Sequence, residues 1–136
     1  MPWLHAAPHA GFSQTEPWLP ADPAHAALAA DRQETDPGSV LNQTRALLRL
    51  RREQPALRLG ACEVLHAQGD VLVLRRGEGE HAVLAIFNLG SSTAAIPPTL
   101  PVGALDPQRC LWALPLAAPI GLNLPAGAAG FYRHQD

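Results

Sequence analysis

The sequence predicts a mainly β fold: a C-terminal antiparallel β-sandwich, preceded by one long α-helix and an irregular N-terminal loop. Three observations carry that expectation. Fourteen prolines and eleven glycines punctuate the chain while charged residues make up only 16% of it, which favours many short elements joined by turns. From Leu57 onward, short apolar runs alternate with such turns, the pattern of a sandwich or barrel. One stretch only, residues 36–54, repeats its apolar side chains at clear helical spacing.

The elements follow in order. Residues 1–35 contain Pro2, Pro8, Pro17, Pro20 and Pro23, each of which removes a backbone donor and turns its predecessor away from helix. Within this loop "HAALAADRQ" has the composition for one or two helical turns. The long helix then reads "DPGSVLNQTRALLRLRREQPAL". Asp36 is suited to cap it and Pro37 to its first position, where a missing N–H costs nothing. Val40, Leu41, Thr44, Leu47, Leu48 and Arg51 form a wide stripe. Arg45, Arg49 and Arg52 lie on the opposite side, and Pro55 stops the helix at Glu53 or Gln54.

Beyond it, strands are expected at 61–67, 71–76 and 81–89, with a hairpin turn through Gly77, Glu78, Gly79 and Glu80. "VLVLRR" is apolar on both faces, as a centrally placed strand would be. Shorter strands are expected at 93–96, 110–113, 121–124 and 130–133. This gives two parts, residues 1–56 (loop 1–35 and helix 36–54) and a sandwich at 57–136.

Composition excludes several function classes. A 47% hydrophobic chain is not intrinsically disordered. The net charge of −2, with every basic residue an arginine, argues against nucleic-acid binding and against a charged membrane surface. No run approaches the roughly 20 apolar residues needed to span a bilayer, and no secretory leader is visible. Cys62 and Cys110 are too few for a disulfide framework. They are expected to be free, mostly buried thiols in a reducing cytoplasm.

Catalytic chemistry is poorly represented. Glu78 and Glu80 sit at a hairpin tip, where charge keeps the turn solvated. Six histidines show no metal-ligand spacing, and Pro8 interrupts the helix that would align His5 with His9. No serine occupies a nucleophile elbow, and no glycine-rich loop could cradle a phosphate. No cofactor is implied. Trp112 suits core packing, whereas Trp3 and Trp18, on a loop, could stack on sugar rings. Asn88 follows an apolar run and suits anchoring the next turn through its side chain.

Certain motifs resemble a known family. Met1-Pro2-Trp3, Gly11-Phe12-Ser13, Pro17 to Pro20, Asp22-Pro23, Asp36 to Asn42 and Leu50 to Leu57 resemble the end of the catalytic barrel in bacterial α-glucosidases. These are oligo-1,6-glucosidase-like members of the α-amylase superfamily, glycoside hydrolase family thirteen. "VLVLRR…HAVLAIFNLG" and "LPAGAAGFY" are similar to the sandwich that follows that barrel. The resemblance implies that the helix is the last of a TIM barrel. It also implies retaining hydrolysis of α-linked gluco-oligosaccharides by two carboxyl groups about 5–5.5 Å apart.

No position here matches those carboxyls, so the resemblance implies a C-terminal piece that is inert by itself. Trp3 and Trp18 would then belong to the substrate-binding rim. The sequence departs from the family pattern at Asp22-Pro23, where Asn-Pro is usual, and at His25, where Tyr is common. Two alternatives stand beside this reading. One is a stand-alone module binding carbohydrate or protein, and the other is self-association through the exposed helix face.

Overall fold

A computed structural model describes residues 1–100, 105–115 and 123–134. The chain divides into two compact units, Met1–Leu48 and Arg49–Asp136.

The first unit is more helical than expected. Two 3-10 segments, Pro8–Gly11 and Pro23–Leu28, precede helix α1 (Ala30–Thr35). Proline opens both 3-10 segments, where its fixed φ suits a first turn and its missing donor is not needed. The opening residues are tied down by backbone bonds. Trp3 N and Leu4 N donate to Ala10 O, while Ala30 N and Asp31 N donate to Pro2 O and Trp3 O. His9 and Ala10 adopt left-handed backbone at φ 52° and 53°, which costs a non-glycine residue about 1–2 kcal/mol each.

Helix α2 spans Val40–Glu53, starting later than the sequence suggests. Asp36 does not cap it. Its Oδ1 accepts from Gly38 N at 2.8 Å in a local turn, a competing use open to Asp side chains. Ser39 is the cap instead: its carbonyl accepts from Gln43 N at 2.9 Å and its Oγ from Asn42 N at 3.3 Å. The Asn42 amide donates to Gln33 O and Asp36 O, and Leu41 N donates to Gln33 Oε1. These bonds hold the turn between α1 and α2.

The second unit contains the sandwich. Helix α3 (Pro55–Leu59) leads into strands β1 (Cys62–Gln68), β2 (Val71–Arg76) and β3 (Val83–Asn88). Strands β4 (Ala94–Ala95), β5 (Cys110–Leu114), β6 (Asn123–Leu124) and β7 (Ala129–Arg133) follow. The expected strand at 121–124 begins outside the described residues. Pairing is antiparallel throughout, as a five-stranded sheet in the order β1-β2-β3-β7-β5 and a two-stranded sheet, β4-β6.

Strand alternation separates two apolar clusters. On one face, Val71, Val73, Leu84, Ile86 and Tyr132 pack with Leu124 of β6, joined by Ile96, Leu100 and Leu105. On the other, Val83, Trp112 and Phe131 pack under Leu50, Ala56 and Leu57. Each fully buried large side chain contributes about 1.5–3 kcal/mol of apolar transfer. β3 lies at the centre and is buried on both faces. β2, expected in that role, buries Val71 and Val73 but leaves Leu72 and Leu74 half-buried, because its outer neighbour β1 is exposed along most of its length.

Polar groups lock the turns. Buried Asn88 donates to Ser92 O, Leu124 O and Pro125 O at 2.8, 3.0 and 2.9 Å and accepts from Gly90 N, anchoring both the following turn and distant β6. Gly60 is required by close approach, since a Cβ there would lie 2.6 Å from Ala56 O and 2.7 Å from Gly77 N. Both cysteines are free, but neither is buried: Cys62 is exposed and Cys110 half-buried. Cys62 opens the exposed edge strand, which the apolar character of its neighbours did not reveal.

Candidate functional site

The first unit carries Trp3 and Trp18, the two residues expected to be free for stacking. The main chain of Trp3 is held on both sides by Ala10 O and Asp31 N, while its ring stands half out of the surface. Trp18 is 91% exposed. An indole left this bare has an apolar face available for stacking. Trp112 is instead a packing residue, its ring 5.9 Å from Phe131 at an interplanar angle of 65°.

Close to Trp3 in sequence, a hollow of about 270 Å³ is lined by Pro2, His5, His9, Phe12, Asp22 and His25, among others. Neither Trp3 nor Trp18 lies on its lining. Three histidines border it, yet among the described residues no three His, Cys, Asp or Glu side chains converge closely enough to hold a metal ion. The left-handed turn at His9 and Ala10 forms part of its wall.

The ionised groups of this unit are arranged for structure. His5 Nδ1 lies 2.8 Å from Asp31 Oδ2, and His5 N donates to both Asp31 oxygens at 3.0 and 3.1 Å. The bond from the His5 ring holds the Asp31 carboxyl below the usual carboxylate range, assisted by the backbone N–H groups of His5 and Arg32 against partial desolvation. Glu34 is held low by the two 2.8 Å bonds from Arg45, whose own pKa is raised in return. A general acid needs its pKa raised, so both shifts run the wrong way for that task. Glu80 is 84% exposed beside His81. The His5–Asp31 pair is invisible in the sequence, since 26 positions separate the partners.

No protein-family profile matches the chain. A probable α-glucosidase of Rhizobium meliloti (strain 1021) is 34% identical over 133 residues, which is 98% of this chain and 24% of that protein. The probable oligo-1,6-glucosidase 2 of Bacillus subtilis (strain 168) is 30% identical over 69% of this chain and 17% of its own length. Among solved structures, an isomaltulose synthase from Klebsiella sp. LX3 superposes with a TM-score of 0.84 at 27% identity, covering 97% of this chain and 24% of that one. The chain thus spans about a quarter of the length of the Rhizobium protein and of the isomaltulose synthase. No helix among the described residues is long and apolar enough to cross a membrane.

Proposed function

The chain belongs to the bacterial α-glucosidases of the α-amylase superfamily and corresponds to their C-terminal part, and on that premise we propose that it serves a retaining α-glucosidase without itself holding the catalytic groups. Hydrolysis with retention needs a nucleophilic carboxylate and a carboxylic acid on either side of the scissile bond. In this reading both belong to barrel strands outside the present sequence. The observation that carries the proposal is the match along 98% of this chain to a relative four times as long. It is supported by the downward shifts of Asp31 and Glu34.

On this reading residues 1–56 are the closing part of the barrel and 57–136 the appended sandwich. Trp3 and Trp18 lie on the rim that meets α-linked gluco-oligosaccharides or sucrose-like glucosides. The free thiols of Cys62 and Cys110 fit a reducing cytoplasm. The genomic DNA immediately upstream tests the assignment. A barrel-coding frame, in phase or one frameshift away, supports it, and unrelated sequence there contradicts it.

One observation favours a second reading, a stand-alone module that binds sugar or protein. Trp18 is 91% exposed, and Val40 and Leu48 of α2 are 77% and 62% exposed. Such surfaces suit sugar stacking or self-association. Saturable maltodextrin binding that Trp18→Ala removes would support the sugar form, and a concentration-dependent dimer the self-association form. A monomer that gives no heat with glucans removes both.

A further inference from the structure

A polar hollow of about 530 Å³ opens in the second unit, bordered by Glu80, His81, Gln108, Arg109, Cys110 and Arg133. It lies at the end of the sheet where β3 and β5 begin and β7 finishes. The register places it there: Val83 pairs with Arg133, and Cys110 with Tyr132. One-turn 3-10 segments, Gly79–His81 and Pro107–Arg109, lead into β3 and β5 respectively and form its walls.

Arg109 precedes Cys110 and Arg133 follows Tyr132, so the two arginines stand one residue beyond a paired position on adjacent strands and both border the same space. Like charges at facing positions repel, and an arrangement of this kind calls for a counter-charge. Among the described residues none lies within ion-pair distance of either group. Neither side chain has a hydrogen-bond or ion-pair partner among the described residues; Arg49, Arg52 and Arg58 of the same unit share that state, but only Arg109 and Arg133 face each other across the β5–β7 register beside a hollow. Glu80 is the one acid on the lining, and its carboxylate faces His81 Nε2 at 3.5 Å, with both side chains 84% exposed.

We propose that this hollow is an oxyanion site whose ligand carries a phosphate group. Two planar forks match the paired terminal oxygens of a phosphate, each fork able to give two parallel bonds. The Gln108 amide adds a neutral donor, and His81 adds charge when protonated. The volume falls within the roughly 300–1,000 Å³ of small-molecule sites and exceeds what a bare phosphate fills. A phosphate ester of a small organic molecule therefore suits it better than the free ion.

The test is isothermal titration of the whole chain with inorganic phosphate and, separately, with glucose 6-phosphate. Sodium chloride at equal ionic strength and glucose serve as controls. The expected result is saturable binding of both phosphates and of neither control, with the ester the tighter ligand. Equal or tighter binding of inorganic phosphate would still support the site, with the free anion as its ligand. Arg109→Gln and Arg133→Gln should each weaken binding about tenfold, and Arg109→Lys, which keeps charge but loses the fork, should fall between. Should a Gln variant fail to fold, phosphate-induced NMR shifts of the Arg109 and Arg133 Nε–H groups in the unaltered chain decide. No saturable phosphate binding above the salt control, binding indifferent to both Gln variants, or shifts confined elsewhere would overturn the proposal.

Discussion

The His5 ring sits 2.8 Å from the Asp31 carboxylate, and the His5 backbone N–H donates to the same group. The opening segment is thereby fastened to the first turn of α1, which makes the proline-broken start of the chain an ordered part of its unit.

That pair predicts a pH response. Asp31 is held below its ordinary value in the folded chain, and an unperturbed Asp titrates near about 3.9. A lowered folded pKa adds stability that is fully present above the unfolded value. It is lost as pH falls through the folded one. Carboxyl NMR titration should therefore place the Asp31 midpoint below that of a free Asp, and His5→Ala should move it back up. An unchanged midpoint in His5→Ala would remove the His5 bond as its cause.

Asn88→Ala should destabilise the sandwich by about 2–3 kcal/mol, because it strips the donor from the buried Leu124 carbonyl and the half-buried carbonyls of Ser92 and Pro125 and opens a gap. Urea unfolding monitored by tryptophan fluorescence gives the value. A loss within about 0.5 kcal/mol, the range of an ordinary surface change, would contradict the anchoring role drawn from its bonds to Ser92, Leu124 and Pro125.

The two faces of α2 should behave differently on truncation. Leu50 is 8% exposed and packs on Val83, while Leu48 is 62% exposed. Leu50→Ala should cost about 2–5 kcal/mol, and Leu48→Ala within about 0.5 kcal/mol. Equal effects would show that Leu48 is covered in solution, as self-association requires.

Gly60→Ala should cost about 1–3 kcal/mol through overpacking, since the added methyl meets the backbone of Ala56 and Gly77. A thermal midpoint equal to that of the unaltered chain would rule out the close approach.

How much of this was legible in the sequence varies with the range of the interactions involved. β2 occupies Val71–Arg76 as expected, because period-two apolarity and flanking glycines are local signals. The role of Asn88 was also readable, although its reach to Leu124 was not. The start of α2 departs from the expectation because Asp36 can cap a helix or close a turn, and the choice depends on Ser39, Gln33 and Asn42 acting together. Exposure of Cys62 and the half-buried state of Leu72 depend on strand order, with β1 at the edge. Residue type and loop context single out Trp3 and Trp18, and the structure leaves both exposed. The His5–Asp31 pair and the Arg109–Arg133 hollow arise only from chain folding, so no spacing rule could find them.

The most direct test of the central claim is the rate of release of a chromogenic aglycone from an aryl α-glucoside by the pure chain. The account predicts a rate equal to the buffer blank at every chain concentration. Turnover that rises in proportion to the chain, and persists through repeated purification, would contradict it.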